Sequence, residues 1–268
     1  MSSSAKQDAV LARFVEVCSS DRRIVAAFLE GSMVTGKADV YSDIDLCLIA
    51  ADDAYDAVLA DRAAIIRRLG DPIFLESFGN EAITFFILPD GTEGELSFGR
   101  ESRLDEVIHG PYRTLLDRKG ILAGAEVAPP QPDRAKQAEE LRRILYWFWH
   151  DLSHFTAALG RGHLWWTAGQ LEALRRYCVN LARIEQGVDA QDEPYEKLDQ
   201  AISTTELSAL RSTFPPMEHG PMLQAGLDLL TFYRERAPRV AREHGLTYPS
   251  ELERLMSGRL EELARTPR

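Results

Sequence analysis

Two aspartates separated by a single residue are the clearest candidates for chemistry in this sequence. Asp43 and Asp45 flank Ile44 at the start of the apolar run 44–50 (IDLCLIA). Because residues i and i+2 of a strand point to the same side, this spacing predicts two neighbouring carboxylates, with Ile44 facing the core. Adjacent carboxylates repel each other unless a cation or a proton neutralises them. Mg²⁺, which prefers oxygen ligands and substrate phosphates, would satisfy the pair.

A glycine and a serine precede the aspartates. Gly31 and Ser32 follow the short apolar run 24–30 (IVAAFLE) directly. Glycine lets a backbone approach a phosphate closely, and the Ser32 hydroxyl can donate a hydrogen bond to a phosphate oxygen. Lys37 lies in the segment between Ser32 and Asp43, where it could meet phosphate, although its simpler role is to solvate a loop. The pattern predicts a turn that binds phosphate groups.

A third carboxylate is needed to complete a two-metal site or to accept a proton from a hydroxyl. The run 94–98 (GELSF) alternates polar and apolar residues, which is typical of a strand with one buried face. Glu95 in this run is the best candidate for the third acid. Both roles, metal ligand and base, are open for it.

The elements that must position these residues form two contrasting halves. Helices are predicted at 9–18 and 53–69 from their apolar spacing, the second ending at Gly70-Asp71-Pro72. Short apolar runs predict six strands, at 24–30, 44–50, 73–78, 82–88, 94–98 and 114–117. The cluster Pro129-Pro130-Gln131-Pro132 is typical of a linker.

Beyond the proline cluster the pattern is almost wholly helical, with four or five helices expected. Apolar residues recur every three or four positions in one sustained seam: Leu141, Leu145, Phe148, Leu152, Phe155 and Leu159. We therefore predict an α+β protein with two domains. Residues 1–130 would form a catalytic domain with a small mixed sheet, and residues 131–268 a helical bundle that contributes to an acceptor site.

Composition narrows the classes of partner. The chain has 268 residues and a net charge of −11, which argues against nucleic acid as a partner and suits a cationic small molecule. The three cysteines, Cys18, Cys47 and Cys178, form no CxxC pair and are expected to be buried free thiols. The sequence shows neither a signal peptide nor a membrane span, so we expect a cytoplasmic protein that does not bind membranes. A homodimer is left open.

These motifs resemble the signature of the DNA polymerase β-like nucleotidyltransferases. Within that superfamily the sequence is most similar to the antibiotic nucleotidyltransferases, particularly the two-domain lincosamide type. The stretches that carry the resemblance are EGSMVTGKADVYSDIDL, EGELSF, LLDRKG and LGRGHLWWTAGQLEALRRYCVNLARIEQG. The resemblance implies that Gly31 and Ser32 hold the phosphates of a nucleoside triphosphate, with ATP as the expected nucleotide. It also implies that Asp43 and Asp45 bind magnesium and that Glu95 is the third acid. The acceptor would be a small hydroxylated molecule, such as a lincosamide or an aminoglycoside.

Two further motifs lie in the helical half. Arg161 precedes Gly162 between two predicted helices, and the resemblance suggests that it meets phosphate, although Gly162 is most simply a helix stop. His150 and His154 are spaced like the histidines of a zinc-protease HExxH motif, but Asp151 replaces its glutamate and the sequence offers no obvious third ligand. Polar histidines on a helix face are therefore expected.

Two other functions remain open from the sequence. The first is nucleotidyl transfer to a protein or RNA acceptor. The negative net charge argues against the RNA acceptor. The second is a catalytically idle binding module, such as an antitoxin-like partner of another protein. The intact set Asp43, Asp45 and Glu95 argues against this module, because an idle site has no reason to keep clustered carboxylates.

Overall fold

The computed structural model describes residues 5–123 and 132–265, and the chain divides into two compact units, Met1–Gln131 and Pro132–Arg268. The sequence places a domain boundary after residue 130, next to this division. The predicted proline linker lies outside the described residues except for Pro132. Among the described helices, none has both the length and the apolar composition needed to cross a bilayer.

The first unit is built on a six-stranded mixed sheet, as the sequence predicted. Its strands are β1 (Ile24–Leu29), β2 (Ile44–Ala50), β3 (Phe74–Glu76), β4 (Ile83–Ile87), β5 (Glu93–Arg100) and β6 (Arg113–Asp117). The strand order is β3-β4-β5-β2-β1-β6. The central strands β2 and β5 are parallel, and the other neighbouring pairs are antiparallel.

The first unit also contains short and long helices. They are α1 (Ala5–Ser20), α2 (Ser32–Thr35), α3 (Tyr55–Ala60) and α4 (Arg62–Arg67), with a 3₁₀ helix at Glu101–Glu106. The single helix predicted at 53–69 is wrong, because the chain leaves helical geometry at Asp61 (φ −84°, ψ 2°) between α3 and α4. Aspartate favours such breaks, since its side chain competes for polar partners, and here it binds Arg23 at 2.8 Å.

The two faces of the sheet are covered by separate apolar clusters, because successive strand residues point to opposite sides. Ile44 and Leu46 of β2 face the cluster that includes α1, and Ile44 is fully buried as expected. Cys47 and Ile49 face the other cluster, beside the 3₁₀ helix. Asp45 alternates with Ile44 and Leu46, so it projects on the same face of the sheet as Cys47.

Helices are the regular elements of the second unit within its described residues. Its helices are α5 (Arg134–Gly160), α6 (Leu164–Glu185), α7 (Leu198–Ala201), α8 (Thr204–Arg211), α9 (His219–Glu243) and α10 (Ser250–Arg265). The described part of this unit has six helices where four or five were expected, since α7 and α8 are too short to show apolar periodicity. A signal for α8 was present: Ser203 and Glu206 form a capping box at its start.

The apolar seam predicted for α5 is the core of this unit. All six of its residues, from Leu141 to Leu159, are buried and pack against α6, α9 and α10. The three cysteines are free and buried, as the sequence predicted. The apolar repeats read from the sequence therefore identified the buried faces of the long helices.

Candidate active site

Three carboxylates lie side by side at one edge of the central strands. Glu95 of β5 is the direct register partner of Asp45 in the parallel pair β2–β5. On the other side of β2, the backbone N–H of Glu30 donates to the carbonyl of Asp45 at 3.0 Å, just beyond the end of β1. The alternation of these strands places all three side chains on one face of the sheet. We call Glu30, Asp45 and Glu95 the acid row.

Gly31 makes the acid row possible through its missing side chain. Its φ of +69° and ψ of −149° lie in a region that essentially only glycine adopts. A Cβ atom at this position would lie 1.7 Å from Oδ2 of Asp45. The space that a side chain would fill at residue 31 is thus occupied by the Asp45 carboxylate, which gives this glycine a specific structural role.

Ser32 begins the short helix α2 directly after Gly31. Its hydroxyl oxygen is buried and has no hydrogen-bond partner within the described part of the chain. Oε1 of Glu30 is in the same condition. Buried polar atoms are nearly always paired in native proteins, so these two atoms, which flank Gly31, mark a place where a polar or charged ligand would complete the site.

Burial and mutual repulsion perturb the acid row. The pKa of Glu30 is raised to about 7: burial is the largest cause, a hydrogen bond from the His109 backbone N–H opposes it, and the charges of Asp45 and Glu95 add to it. The pKa of Glu95 is also raised, first by burial and then by Asp45, while the Ser97 hydroxyl that donates to it at 3.3 Å acts in the opposite direction. Ionisation of Glu30 and Glu95 is therefore unfavourable in the folded protein, and a bound cation would make it more favourable.

The sequence model of one protein family, described as Streptomycin adenylyltransferase, matches residues 5–263. The match spans nearly the whole chain, both units included. This chain belongs to the streptomycin adenylyltransferase family. The predicted superfamily, the polymerase β-like nucleotidyltransferases, is thereby confirmed. Where the sequence alone suggested the lincosamide type among antibiotic nucleotidyltransferases, the family that matches is the one described for streptomycin.

Solved structures give weaker similarity. An aminoglycoside 6-adenyltransferase from Bacillus subtilis is 15% identical, with 98% of this chain and 100% of that chain covered and a TM-score of 0.47. A nucleotidyltransferase-like protein from Exiguobacterium sibiricum 255-15 is 12% identical, with 96% and 86% covered and a TM-score of 0.43. No curated protein sequence matches. The family assignment therefore rests on the sequence match.

Membership in the streptomycin adenylyltransferase family defines the general chemistry. Proteins of this family transfer a nucleotidyl group to an antibiotic, and such enzymes use a nucleoside triphosphate with a divalent metal ion. The chain is accordingly a nucleotidyltransferase, as predicted. The catalytically idle module considered from the sequence is not supported.

Three other predicted site residues, Asp43, Lys37 and Arg161, are exposed and lie outside the acid row. Asp43 is exposed and immediately precedes β2, two residues before Asp45, and its charge is among the causes that raise the pKa of Glu95. Lys37 is exposed in the segment after α2, and its backbone N–H donates to the Ser32 carbonyl at 3.1 Å. Arg161 is exposed in the helical unit, where it caps the end of α5. Its phosphate-binding role stays a prediction.

Glu30 is the member of the acid row that the sequence prediction missed. Glu30 ends the apolar run IVAAFLE, a position that by itself predicts only the end of a strand. A signal was nevertheless available, because Glu30 directly precedes Gly31 and therefore lies at the same strand end as the predicted phosphate-binding turn. The face of the sheet on which the Glu30 side chain lies follows from alternation with the buried residues of β1. A motif of fixed spacing gives no information about that face.

The residues present fit a divalent metal ion. The acid row and Asp43 offer only carboxylate oxygens, the donors that Mg²⁺ prefers. Oε1 of Glu30 is buried without a partner among the described residues, and the pKa values of Glu30 and Glu95 are raised in the absence of a cation. A hard cation at this edge of the sheet would satisfy both observations.

The raised pKa of Glu30 predicts a pH-dependent stability difference in metal-free protein. Between its ordinary value of 4.5 and about 7, the folded protein keeps a proton that the unfolded chain has released. Stability contributed by Glu30 is therefore lost as the pH rises through this window. We expect the melting temperature of Glu30→Gln, relative to that of the wild type, to rise between pH 4.5 and about 7. Above that pH the difference between the two melting temperatures should stay constant. Calorimetry in EDTA measures it, and a difference that is independent of pH would contradict the assigned pKa.

Proposed function

We propose that this enzyme transfers AMP from ATP to a hydroxyl group of streptomycin or a related aminoglycoside, with Mg²⁺ as its metal. The observation that carries the proposal is that Asp45 and Glu95 are register partners on β2 and β5, and that the Asp45 carboxylate lies directly beside the backbone of Gly31. The description of the matching family supports ATP and streptomycin as substrates. Aminoglycosides are cationic, and the net charge of −11 favours their approach.

Different residues of the first unit would bind the metal ion and the phosphate groups. Asp43 and Asp45 would hold the metal ion, which when bound would neutralise charge on the α-phosphate and the leaving pyrophosphate. Gly31 lets the triphosphate approach the backbone, and the Ser32 hydroxyl donates to a phosphate oxygen. Lys37 adds a positive charge to the same segment.

Glu95 would accept the proton of the acceptor hydroxyl or ligate a second metal ion. Its raised pKa makes it a stronger base than an ordinary glutamate, and proton transfer becomes more efficient as the pKa of the base approaches the operating pH. Glu30 completes the negative edge beside Asp45. The first unit is thus proposed as the catalytic domain, and the helical unit as the domain that contributes acceptor contacts.

The substrate assignment is tested by pyrophosphate release. We expect the wild type to release pyrophosphate with ATP, Mg²⁺ and streptomycin, and to do so poorly with GTP, CTP or UTP. Lincosamides, other aminoglycosides and an RNA acceptor serve as comparisons, and mass spectrometry identifies the adenylylated product. Release with a lincosamide but not with any aminoglycoside would replace the proposed acceptor class.

The role of Glu95 is tested with a matched variant on the same strand. We expect Glu95→Gln to lower kcat by about 10²- to 10⁴-fold, the usual contribution of a positioned acid or base. Glu93, two residues earlier in β5 and exposed, carries the same charge outside the acid row. Glu93→Gln should therefore keep its activity. Equal losses in the two variants would show that only the net charge matters, and would remove Glu95 from the mechanism.

A further inference from the structure

Three side chains of the types that can ligate metal ions lie together in the helical unit, on neighbouring positions of α5. His150, Asp151 and His154 each offer a ligand atom, and these atoms all lie within 4.8 Å of one another. Nδ1 of His150 is 2.8 Å from Oδ1 of Asp151. The two histidines are four residues apart, so they lie on the same helix face, and their ring centroids are separated by 4.3 Å.

The third ligand of this group is held in place from a neighbouring helix. The Tyr177 hydroxyl of α6 donates to Oδ2 of Asp151 at 3.0 Å, which leaves Oδ1 directed at His150. The pKa of Tyr177 is raised to about 12, first by burial and then by the charge of Asp151, so the hydroxyl remains a donor. Partners of this kind orient the ligands of protein metal sites.

Accessibility differs across the group in a way that suits an exchangeable ion. The Asp151 side chain is only 13% exposed, whereas that of His150 is 51% exposed. His154 also reaches the surface. The carboxylate is thus anchored, the imidazoles face solvent, and water can fill further coordination positions.

We propose that His150, Asp151 and His154 form a binding site for a transition-metal cation, with Zn²⁺ as the physiological class of ligand. Two imidazoles and one carboxylate are donors that zinc accepts, while magnesium prefers an all-oxygen set. The sequence alone offered no third ligand for the two histidines; the structure assigns Asp151 to that position. The site binds metal without a protease function, because its acid is a ligand instead of a base. This proposal does not rest on the proposed adenylyl transfer.

Nearby tryptophans provide an intrinsic reporter. The ring of Trp147 is 4.9 Å from that of His150, and the ring of Trp166 is 5.8 Å from that of His154. Both indoles are partly exposed. A paramagnetic ion such as Cu²⁺, which generally binds nitrogen ligands more tightly than Zn²⁺ does, should quench their fluorescence when it occupies the site.

The experiment uses the full chain without a histidine tag, in the presence of excess Mg²⁺ to fill the acid row. We expect calorimetric titration with ZnCl₂ to show one saturable site, and Cu²⁺ to quench tryptophan fluorescence at the same stoichiometry. The double variant His150→Ala/His154→Ala should lose both signals. Alanine is the best helix former and the histidines are solvent-facing, so this variant is expected to fold.

Three further variants locate the ion. Tyr177→Phe should weaken zinc binding about tenfold or more, as loss of a ligand-orienting partner does. His163→Ala removes an exposed histidine outside the group and should bind as the wild type does. Asp45→Asn should also retain binding. Unchanged zinc affinity in the double variant, or loss of zinc binding in Asp45→Asn, would overturn the proposal.

Discussion

Asp45→Asn is expected to lose at least about a thousandfold in kcat/KM for adenylyl transfer while keeping its fold. A metal that neutralises phosphate charge supplies several kcal/mol, and each 1.4 kcal/mol or so is a factor of ten in rate. The substitution keeps the shape of the side chain but removes the charge at the centre of the acid row. Steady-state pyrophosphate release at saturating Mg²⁺ measures the loss, and circular dichroism reports the fold.

A second measurement ties that loss to the acid row itself. The charge of Asp45 raises the pKa of both of its strand neighbours, Glu30 and Glu95. Its removal should lower both pKa values, so carboxyl NMR of metal-free Asp45→Asn should show Glu30 titrating below about 7. Local misfolding would expose both side chains and remove the effect of burial, which is the larger cause of both shifts, so Glu30 would then titrate near its ordinary value of 4.5. A pKa of Glu30 that is lowered but stays above 4.5 therefore indicates loss of the Asp45 charge alone.

Glu93→Gln is the control, because it removes one negative charge from the end of β5 outside the acid row. It should retain transfer and leave the pKa of Glu30 close to its wild-type value. Full transfer by Asp45→Asn would exclude this carboxylate as a metal ligand and would contradict the proposed mechanism. Full transfer by Asp43→Ala as well would leave the mechanism without its metal site.

The sequence was informative where chemistry and periodicity coincide. Strand alternation alone predicted that Asp45 projects opposite the buried Ile44, and the structure confirms the burial of Ile44. The seam of α5 was likewise readable, because a long helix repeats its buried face many times. Both inferences depend on local geometry, which the order of residues determines directly.

Long-range register was not readable in the same way. The pairing of Asp45 with Glu95 joins distant parts of the chain in a parallel pair, and a shift of one residue would turn Glu95 to the opposite face. Glu30 was missed for the same reason, since its place beside Asp45 follows from the β1–β2 register. The sequence also offered no reason to add Asp151 to His150 and His154 as a third ligand. Its orientation depends on a hydrogen bond from Tyr177, which lies on another helix.

Gly31→Ala is expected to abolish transfer and to destabilise the protein. The backbone of residue 31 lies in a region that costs other residues about 1–3 kcal/mol. The new methyl group would also overlap Oδ2 of Asp45, which would lie 1.7 Å away. Either the Asp45 side chain or the turn must move, and each movement separates the proposed phosphate-binding backbone from the proposed metal ligand, Asp45.

Gly36→Ala is the matched control, five residues further along the same segment. Gly36 also has a positive φ, of +72°, but lies in the left-handed helical region. A Cβ atom at residue 36 would have no heavy atom of the described residues within 4 Å, apart from its chain neighbours. This variant should lose about 1 kcal/mol of stability, the ordinary cost of replacing glycine there, and keep its activity.

The comparison of the two glycine variants separates backbone strain from collision with the Asp45 carboxylate. Thermal denaturation measures the strain in both, while pyrophosphate release measures the displacement of Asp45 in Gly31→Ala alone. If the two variants lose activity to the same extent, the flexibility of the segment after β1 limits the reaction, and close approach of Gly31 to Asp45 is not required. If only Gly31→Ala is inactive, the absent side chain at residue 31 is itself part of the active-site geometry.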